Sequence, residues 1–95
     1  MTPEGKVKNK IKKLLDSRGD YLYYYMSVPF GYGATAVDFL GCYRGRFFAI
    51  EAKAPHGALT ARQDMVLNQI RLAGGVTFVV VGDAGLDALE AWLCS

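Results

Sequence analysis

Three polar residues break two otherwise apolar runs of this chain. Glu51 and Lys53 stand two apart in Ala49-Ile50-Glu51-Ala52-Lys53, so with strand periodicity they project from one face. Phe47, Phe48, Ala49 and Ile50 make that run read as a buried strand. A carboxylate and an ammonium at the end of such a strand are costly unless paired or bound to something. Asp38 interrupts the second run, Ala36-Val37-Asp38-Phe39-Leu40. Two acids and a lysine at the ends of adjacent strands form a compact site for a divalent cation. Mg²⁺ is satisfied by one or two carboxylates with carbonyl and water oxygens. Asp38 and Glu51 supply the carboxylates, and the Ala52 backbone carbonyl adds a third oxygen. The reaction such a set suits is phosphodiester hydrolysis, with Lys53 orienting the attacking water or stabilising charge on the phosphate. The bland alternatives are a surface ion pair for Glu51 and Lys53 and a turn or cap role for Asp38. That all three interrupt apolar strands together favours the site.

Other residues carry weaker signals. Thr60-Ala61-Arg62-Gln63 fits a capping box, in which Gln63 reaches back to the Thr60 amide. Gln63 at a helix start near a metal would instead position water or phosphate, and the sequence leaves both readings open. Glu4 complements the dipole of a first helix, or approaches the metal if that helix packs beside the sheet. His56 reads as a loop residue. Lys6, Lys10, Lys13, Arg44, Arg46 and Arg62 are candidate phosphate contacts. The tyrosines between Tyr21 and Tyr25 read as core or interface packing rather than as platforms for bases.

The elements that must position these groups follow from periodicity. Thr2-Pro3-Glu4 starts a helix, Val7, Ile11, Leu14 and Leu15 give it an apolar stripe, and Gly19 closes it. Tyr21 to Val28 reads as a strand, Pro29 to Gly33 as a loop, and Thr35 to Cys42 as a second strand. A tight connection over Tyr43 to Arg46 leads into a third strand, Phe47 to Lys53, making a hairpin. A helix runs from Thr60 to Gly74-Gly75. Val76 to Val81 is a continuous apolar strand expected to be buried on both faces. Asp83 is placed to cap a last helix in which Leu86, Leu89 and Leu93 or Trp92 face inward. The order α-β-β-β-α-β-α predicts an α/β domain with a mixed sheet flanked by helices.

Composition bounds the rest. Ninety-five residues make one domain, residues 1–95, and 52% hydrophobic content excludes a disordered chain. No apolar run approaches the ~18 residues a membrane span needs. A lysine-rich start without a signal-like apolar segment predicts a cytoplasmic protein with no membrane partner. Cys42 and Cys94 lack ligand spacing and are expected to be free, semi-buried thiols. The net charge of +2 is small, but Lys6, Lys8, Lys10, Lys12, Lys13 and Arg18 crowd one end while Asp83, Asp87 and Glu90 occupy the other. One-sided basic charge is the footprint of a polyanion partner.

With these residues in view, the chain resembles a known nuclease pattern. Val37-Asp38 followed by Glu51-Ala52-Lys53 resembles the PD-(D/E)XK motif. More narrowly, Asp38-Phe39-Leu40-Gly41, Gly45-Arg46-Phe47, Ile50-Glu51-Ala52-Lys53, Gly57-Ala58-Leu59-Thr60, Gln63 and Gly74-Gly75 resemble the VRR-NUC (virus-type replication-repair nuclease) family. Val37 stands where that pattern usually has proline, which removes no ligand. The resemblance implies a restriction-endonuclease-like PD-(D/E)XK core and DNA cleavage dependent on Mg²⁺ or Mn²⁺. It implies metal ligation by Asp38 and Glu51, a catalytic role for Lys53 and Gln63, and, less directly, for Glu4. Stand-alone members of this size are similar to phage-encoded homodimers acting on branched DNA such as Holliday junctions, which would place the chain in the host cytoplasm. Two readings of other classes compete: a non-catalytic nucleic-acid-binding module using the basic first helix, and an interaction subunit in which the acids are structural.

Overall fold

The computed structural model describes residues 1–27 and 37–95. The loop expected over Pro29 to Gly33, the strand end at Val28 and the strand start at Thr35 lie outside the described residues. The order of elements is α1 (Pro3–Asp16), a 3₁₀ turn (Gly19–Tyr21), β1 (Leu22–Met26), β2 (Phe39–Tyr43), β3 (Arg46–Lys53), α2 (Ala61–Leu72), β4 (Val76–Val81) and α3 (Leu86–Leu93). The strands form one mixed sheet in the order β1-β2-β3-β4, antiparallel except for the parallel β3–β4 pair. This is the α/β arrangement that the periodicity predicts.

The first two helices start where the sequence signals them. The Thr2 hydroxyl accepts from the Gly5 amide, with Pro3 in the first turn of α1. Thr60 caps α2, and Gly74 (φ +99°) ends it by donating to the Arg71 carbonyl while Gly75 donates to that of Ile70. That pair of bonds is a Schellman stop, which requires a left-handed residue and so favours glycine. The β2–β3 hairpin turns on Arg44 and Gly45 alone, both at positive φ (50° and 83°), as a two-residue turn between twisted strands demands.

The sheet is covered on both faces. Alternate residues Phe39, Tyr43, Phe48, Ile50, Ala52 and Val80 meet Val7, Ile11 and Leu15 of α1 and Leu89 and Leu93 of α3. The Trp92 ring lies 5.4–5.7 Å from those of Tyr43, Phe48 and Phe78, and so joins three strands to α3. On the opposite face Ala49, Leu40 and Val79 pack against Leu67, Val66 and Ile70 of α2, and Val37 joins them. One helix covers less area than two. Among the described residues, nothing packs over the far side of this face, along β1.

Several expectations are corrected. Tyr21 belongs to the 3₁₀ turn rather than to β1, and Asp38 lies in a bend just before β2 rather than inside it. β4 is an edge strand, mostly half-buried, with only Val80 fully enclosed. Its apolar run therefore reflects a helix on each face and not a central position. Asp83 does not cap α3, whose first residue follows Gly85. Its carboxylate instead takes the Lys10 ammonium at 2.6 Å and tethers α1 to the β4–α3 turn. Cys42 and Cys94 are free, as expected, but exposed.

Gly41 of β2, paired with Tyr24 of β1, has no room for a side chain. A Cβ there would run into the Tyr23 carbonyl and lie 2.7 Å from the Phe48 ring and 2.9 Å from the Tyr24 Cα. Two of these three are backbone atoms of the adjacent strand, so the clash is not relieved by a rotamer change. Gly41→Ala should destabilise the protein by about 2–3 kcal/mol, read as a lowered urea midpoint at unchanged slope. An unchanged midpoint would mean that β1 can move away from β2 freely.

Candidate active site

The site forms where β3 ends, β2 begins and α2 starts. Glu51 is 2% exposed although it is ionisable, the one charged residue buried to this degree among those described. Its Oε2 accepts from Gln63 Nε2 at 2.5 Å and lies 3.5 Å from Lys53 Nζ. Its Oε1 is buried with no hydrogen-bond partner among the described residues. Asp38 stands beside it. The Asp38 amide donates to the Ile50 carbonyl, its Oδ2 accepts from the Ala52 amide at 2.8 Å, and its Oδ1 faces Lys8 Nζ at 3.3 Å. The structure therefore brings together Asp38, Glu51, Lys53 and Gln63 from three separate elements.

Strand geometry explains the convergence. Asp38 lies in the bend just before β2, where its amide donates to the carbonyl of Ile50, the residue paired with Phe39, and this places its side chain beside the end of β3. Ala52 turns its amide toward Asp38. Because the N–H and C=O of one strand residue point to the same neighbour, its carbonyl opens to that side as well. Val37, buried under α2, and the Ser27 hydroxyl bonded to the Val37 carbonyl hold the approach to Asp38.

The two readings of Gln63 turn out to be one arrangement. Its amide nitrogen donates to Glu51 while its Oε1 accepts from the Thr60 amide at 3.0 Å, and the Thr60 hydroxyl accepts from the Gln63 backbone in return. The capping box fixes which end of the side-chain amide faces the carboxylate.

Glu4 is not drawn into direct contact with the acidic pair. Lys8 stands between them, 3.5 Å from Glu4 Oε2 and 3.3 Å from Asp38 Oδ1. Burial lowers the Lys8 pKa, but the Asp38 and Glu4 carboxylates outweigh it, so the net shift is upward and the ammonium is kept charged. Lys8 is the member that the sequence reading missed. Its only signal was the i,i+4 spacing to Glu4, which any solvated helix face can show.

Burial pushes the Glu51 carboxyl up to about 8, with the neighbouring Asp38 charge adding to the shift and Lys53 opposing it. Two carboxylates side by side with too few donors cannot both be ionised without cost. A proton between them removes the deficit, and so does a cation. Oxygen ligands from Asp38 and Glu51, a buried acceptor without a donor and the Ala52 carbonyl are the donor set that a hard divalent cation takes. Among the described residues no cluster of three or more His, Cys, Asp or Glu side chains occurs, so the carbonyl and water must complete any coordination shell.

The cationic candidates divide by position. Lys6 is exposed and lines a shallow cleft with Pro55 and Gly82, just past the end of β3. Lys13 is exposed farther along α1, and Lys10 is held by Asp83. Arg44 lies over the Tyr21 ring at 5.0 Å, and Arg46 over Trp92 at 4.6 Å, both at the hairpin end of the sheet. With about 3.3 Å per residue along β3, Arg46 is some ~23 Å from Lys53. These two arginines therefore do not belong to the acidic site. Arg62 is exposed in the first turn of α2.

Comparison of the chain with protein-family models, with curated proteins and with solved structures finds no match. Among the described residues no helix is long and apolar enough to cross a membrane.

The buried carboxyl makes stability pH-dependent in an unusual direction. Glu51 titrates at about 8 when folded against 4.5 as its reference value. Between those limits the folded protein holds a proton that the unfolded chain has released. Stability therefore falls as pH rises through that window, by up to ~1.4 kcal/mol per pH unit, and the full contribution is present below it. In EDTA, Glu51→Gln should flatten this fall and exceed the wild type in urea midpoint at the alkaline end. Parallel pH profiles for the two proteins would show that Glu51 is ionised in the folded state throughout.

Proposed function

We propose that the protein is a DNA endonuclease dependent on Mg²⁺ or Mn²⁺, with a PD-(D/E)XK-type core of the VRR-NUC kind, acting on branched DNA such as a Holliday junction. One observation carries the reading: among the described residues no donor reaches the buried Oε1 of Glu51, beside Asp38, while Lys53 Nζ stands 3.5 Å from the other oxygen, Oε2. A purely structural ion pair would be expected to satisfy that oxygen, because an unpartnered buried acceptor costs about 1–3 kcal/mol. The mixed sheet with Glu51 and Lys53 at the end of β3 and a helix starting alongside is consistent with such a core.

Asp38, Glu51 and the Ala52 carbonyl would hold the cation. When bound, it neutralises charge building on the phosphate and lowers the pKa of coordinated water. Lys8 and the Ala52 amide fix the two oxygens of Asp38, and Gln63 fixes Glu51 from the α2 side. Lys53, paired with Glu51 in the free protein, has its ammonium at the mouth of the site. There it can hold the attacking water or the scissile phosphate oxygen. Glu4 acts one step removed, by keeping Lys8 against Asp38. Lys6, Lys13 and Arg62 are the cations placed to meet the flanking backbone. A homodimer fits this substrate, since paired nicks in a junction of approximate two-fold symmetry need two sites in one symmetric assembly.

The test is cleavage of a labelled four-way junction and of linear duplex with Mg²⁺, Mn²⁺ or EDTA. Wild type should cut the junction with either metal. Lys53→Ala and Asp38→Asn should each lose about 100-fold or more in rate while keeping the circular dichroism spectrum and junction affinity. Binding without cutting under every metal condition would replace the enzyme by a nucleic-acid-binding module.

Phosphate contacts are read separately, from salt dependence. Lys6→Ala and Lys13→Ala should each reduce the slope of log affinity against log salt by about 1. Lys10→Ala should change it less, because its ammonium is already held by Asp83. A slope unaffected by all three would remove α1 from the DNA-facing surface.

A further inference from the structure

The open half of the α2 face is aromatic. Tyr23 and Tyr25 of β1, expected from sequence to pack in the core or at an interface, are 73% and 51% exposed, and Phe47 is 47% exposed. Register puts them on one face with the acidic site: Tyr23 lies opposite Cys42 and Cys42 opposite Phe47, while Tyr25 lies opposite Leu40 and Leu40 opposite Ala49. Ala49, Glu51 and Lys53 alternate along β3 on that same face. The strip runs from the hairpin end, where Arg44 lies over the exposed Tyr21 ring, toward the bend that carries Asp38. Monomeric proteins seldom leave large aromatic rings in a row on a sheet face without a use for them.

We propose that Tyr23 and Tyr25, with Phe47 at the side, form a stacking platform for unpaired nucleotides of a DNA strand whose phosphodiester enters the Asp38–Glu51–Lys53 site. The proposal rests on the nuclease reading for the nature of its ligand. Three features point to single-stranded DNA rather than duplex. Residues i and i+2 of a strand are about 6.8 Å apart, twice the 3.4 Å step between stacked bases of one duplex strand. Bases taken up on the two rings must therefore be unstacked from each other, as paired bases are not. Tyrosine offers a flat ring to any base, which gives affinity without sequence preference. The strip also runs toward the bend that carries Asp38 at one end and is flanked by the Arg44 guanidinium at the other, so a backbone following it in that direction meets a cation first. Branched substrates with an unpaired arm or flap then become the preferred class.

The experiment is anisotropy of a labelled oligo-dT and of a blunt duplex with full-length protein in EDTA, where no cleavage occurs, together with alkylation footprinting. Cys42 is exposed between Tyr23 and Phe47, whereas Cys94 follows α3, which packs on the opposite face. Oligo-dT should slow N-ethylmaleimide modification of Cys42 and leave Cys94 unchanged. Tyr23→Leu with Tyr25→Leu, which keeps apolar strand residues, should weaken oligo-dT binding at least about tenfold and duplex binding less than about twofold. Tyr25→Phe should bind as the wild type does. The proposal is overturned if the wild type does not bind oligo-dT, if Cys42 stays unprotected, or if the double variant binds normally. It is equally overturned if that variant only turns a dimer into a monomer in light scattering, which would make the patch a self-association surface. A protein that cuts no DNA yet protects Cys42 with oligo-dT would remove the cleavage reading and retain the platform.

Discussion

The burial of Glu51 is the constraint on which the rest of the structure depends. A carboxyl group enclosed at 2% exposure is tolerable only with donors brought from elsewhere, and each donor here comes from a different direction. Lys53 follows on the same strand and Gln63 reaches down from the start of α2, while Asp38, a second acid with supports of its own from Ala52 and Lys8, arrives from the neighbouring strand. The β3–α2–β4 crossover exists in a form that puts the first turn of α2 over the end of β3. The first turns of α1 reach the same end from the other face. What looks like an arrangement of secondary structure is equally an arrangement of donors around one acid that, among the described residues, remains one donor short.

Much of this was legible in the sequence because polar residues in apolar strands are conspicuous. Asp38, Glu51 and Lys53 stood out on that ground alone, and the order of elements followed from periodicity and from Thr, Pro and Gly at the helix ends. What was not legible depended on which elements become neighbours. Lys8 is one of several lysines in α1, and nothing local marks it as the one that meets Asp38. Asp83 sits before a helix and reads as its cap, yet a partner seventy-three residues earlier takes the carboxylate. The apolar composition of β4 is the same at an edge with a helix on each face as in a sheet centre. The tyrosines of β1 read as core or interface packing, because aromatic residues are usually covered, and the structure removes Tyr23 and Tyr25 from the core. Their exposure follows from α2 being a single helix on a four-stranded face, which no residue of β1 can announce.

The two faces of the sheet thus have different characters. The face under α1 and α3 is closed and aromatic-rich around Trp92, with Tyr24 tucked in and its hydroxyl donating to Asp16, burial and that partner pushing the phenol up to about 12. It supplies most of the core. The face under α2 is half open and holds the polar site. The main core and the polar cluster therefore lie on opposite sides of the same strands, so that alternation along β3 assigns Ile50 and Ala52 to one and Glu51 and Lys53 to the other.

The double engagement of Gln63 couples two equilibria that are usually separate. The amide that holds Glu51 also closes the capping box of α2, so fraying of the helix and loosening of the carboxylate are the same event. Anything that fixes Glu51 in place damps opening of the first turn of α2, and anything that weakens the cap lets the acid rotate. Positions 51, 60 and 63 therefore form one selectable unit. Drift at Thr60, a residue that touches nothing reactive, is felt at the carboxylate before it is felt in the fold.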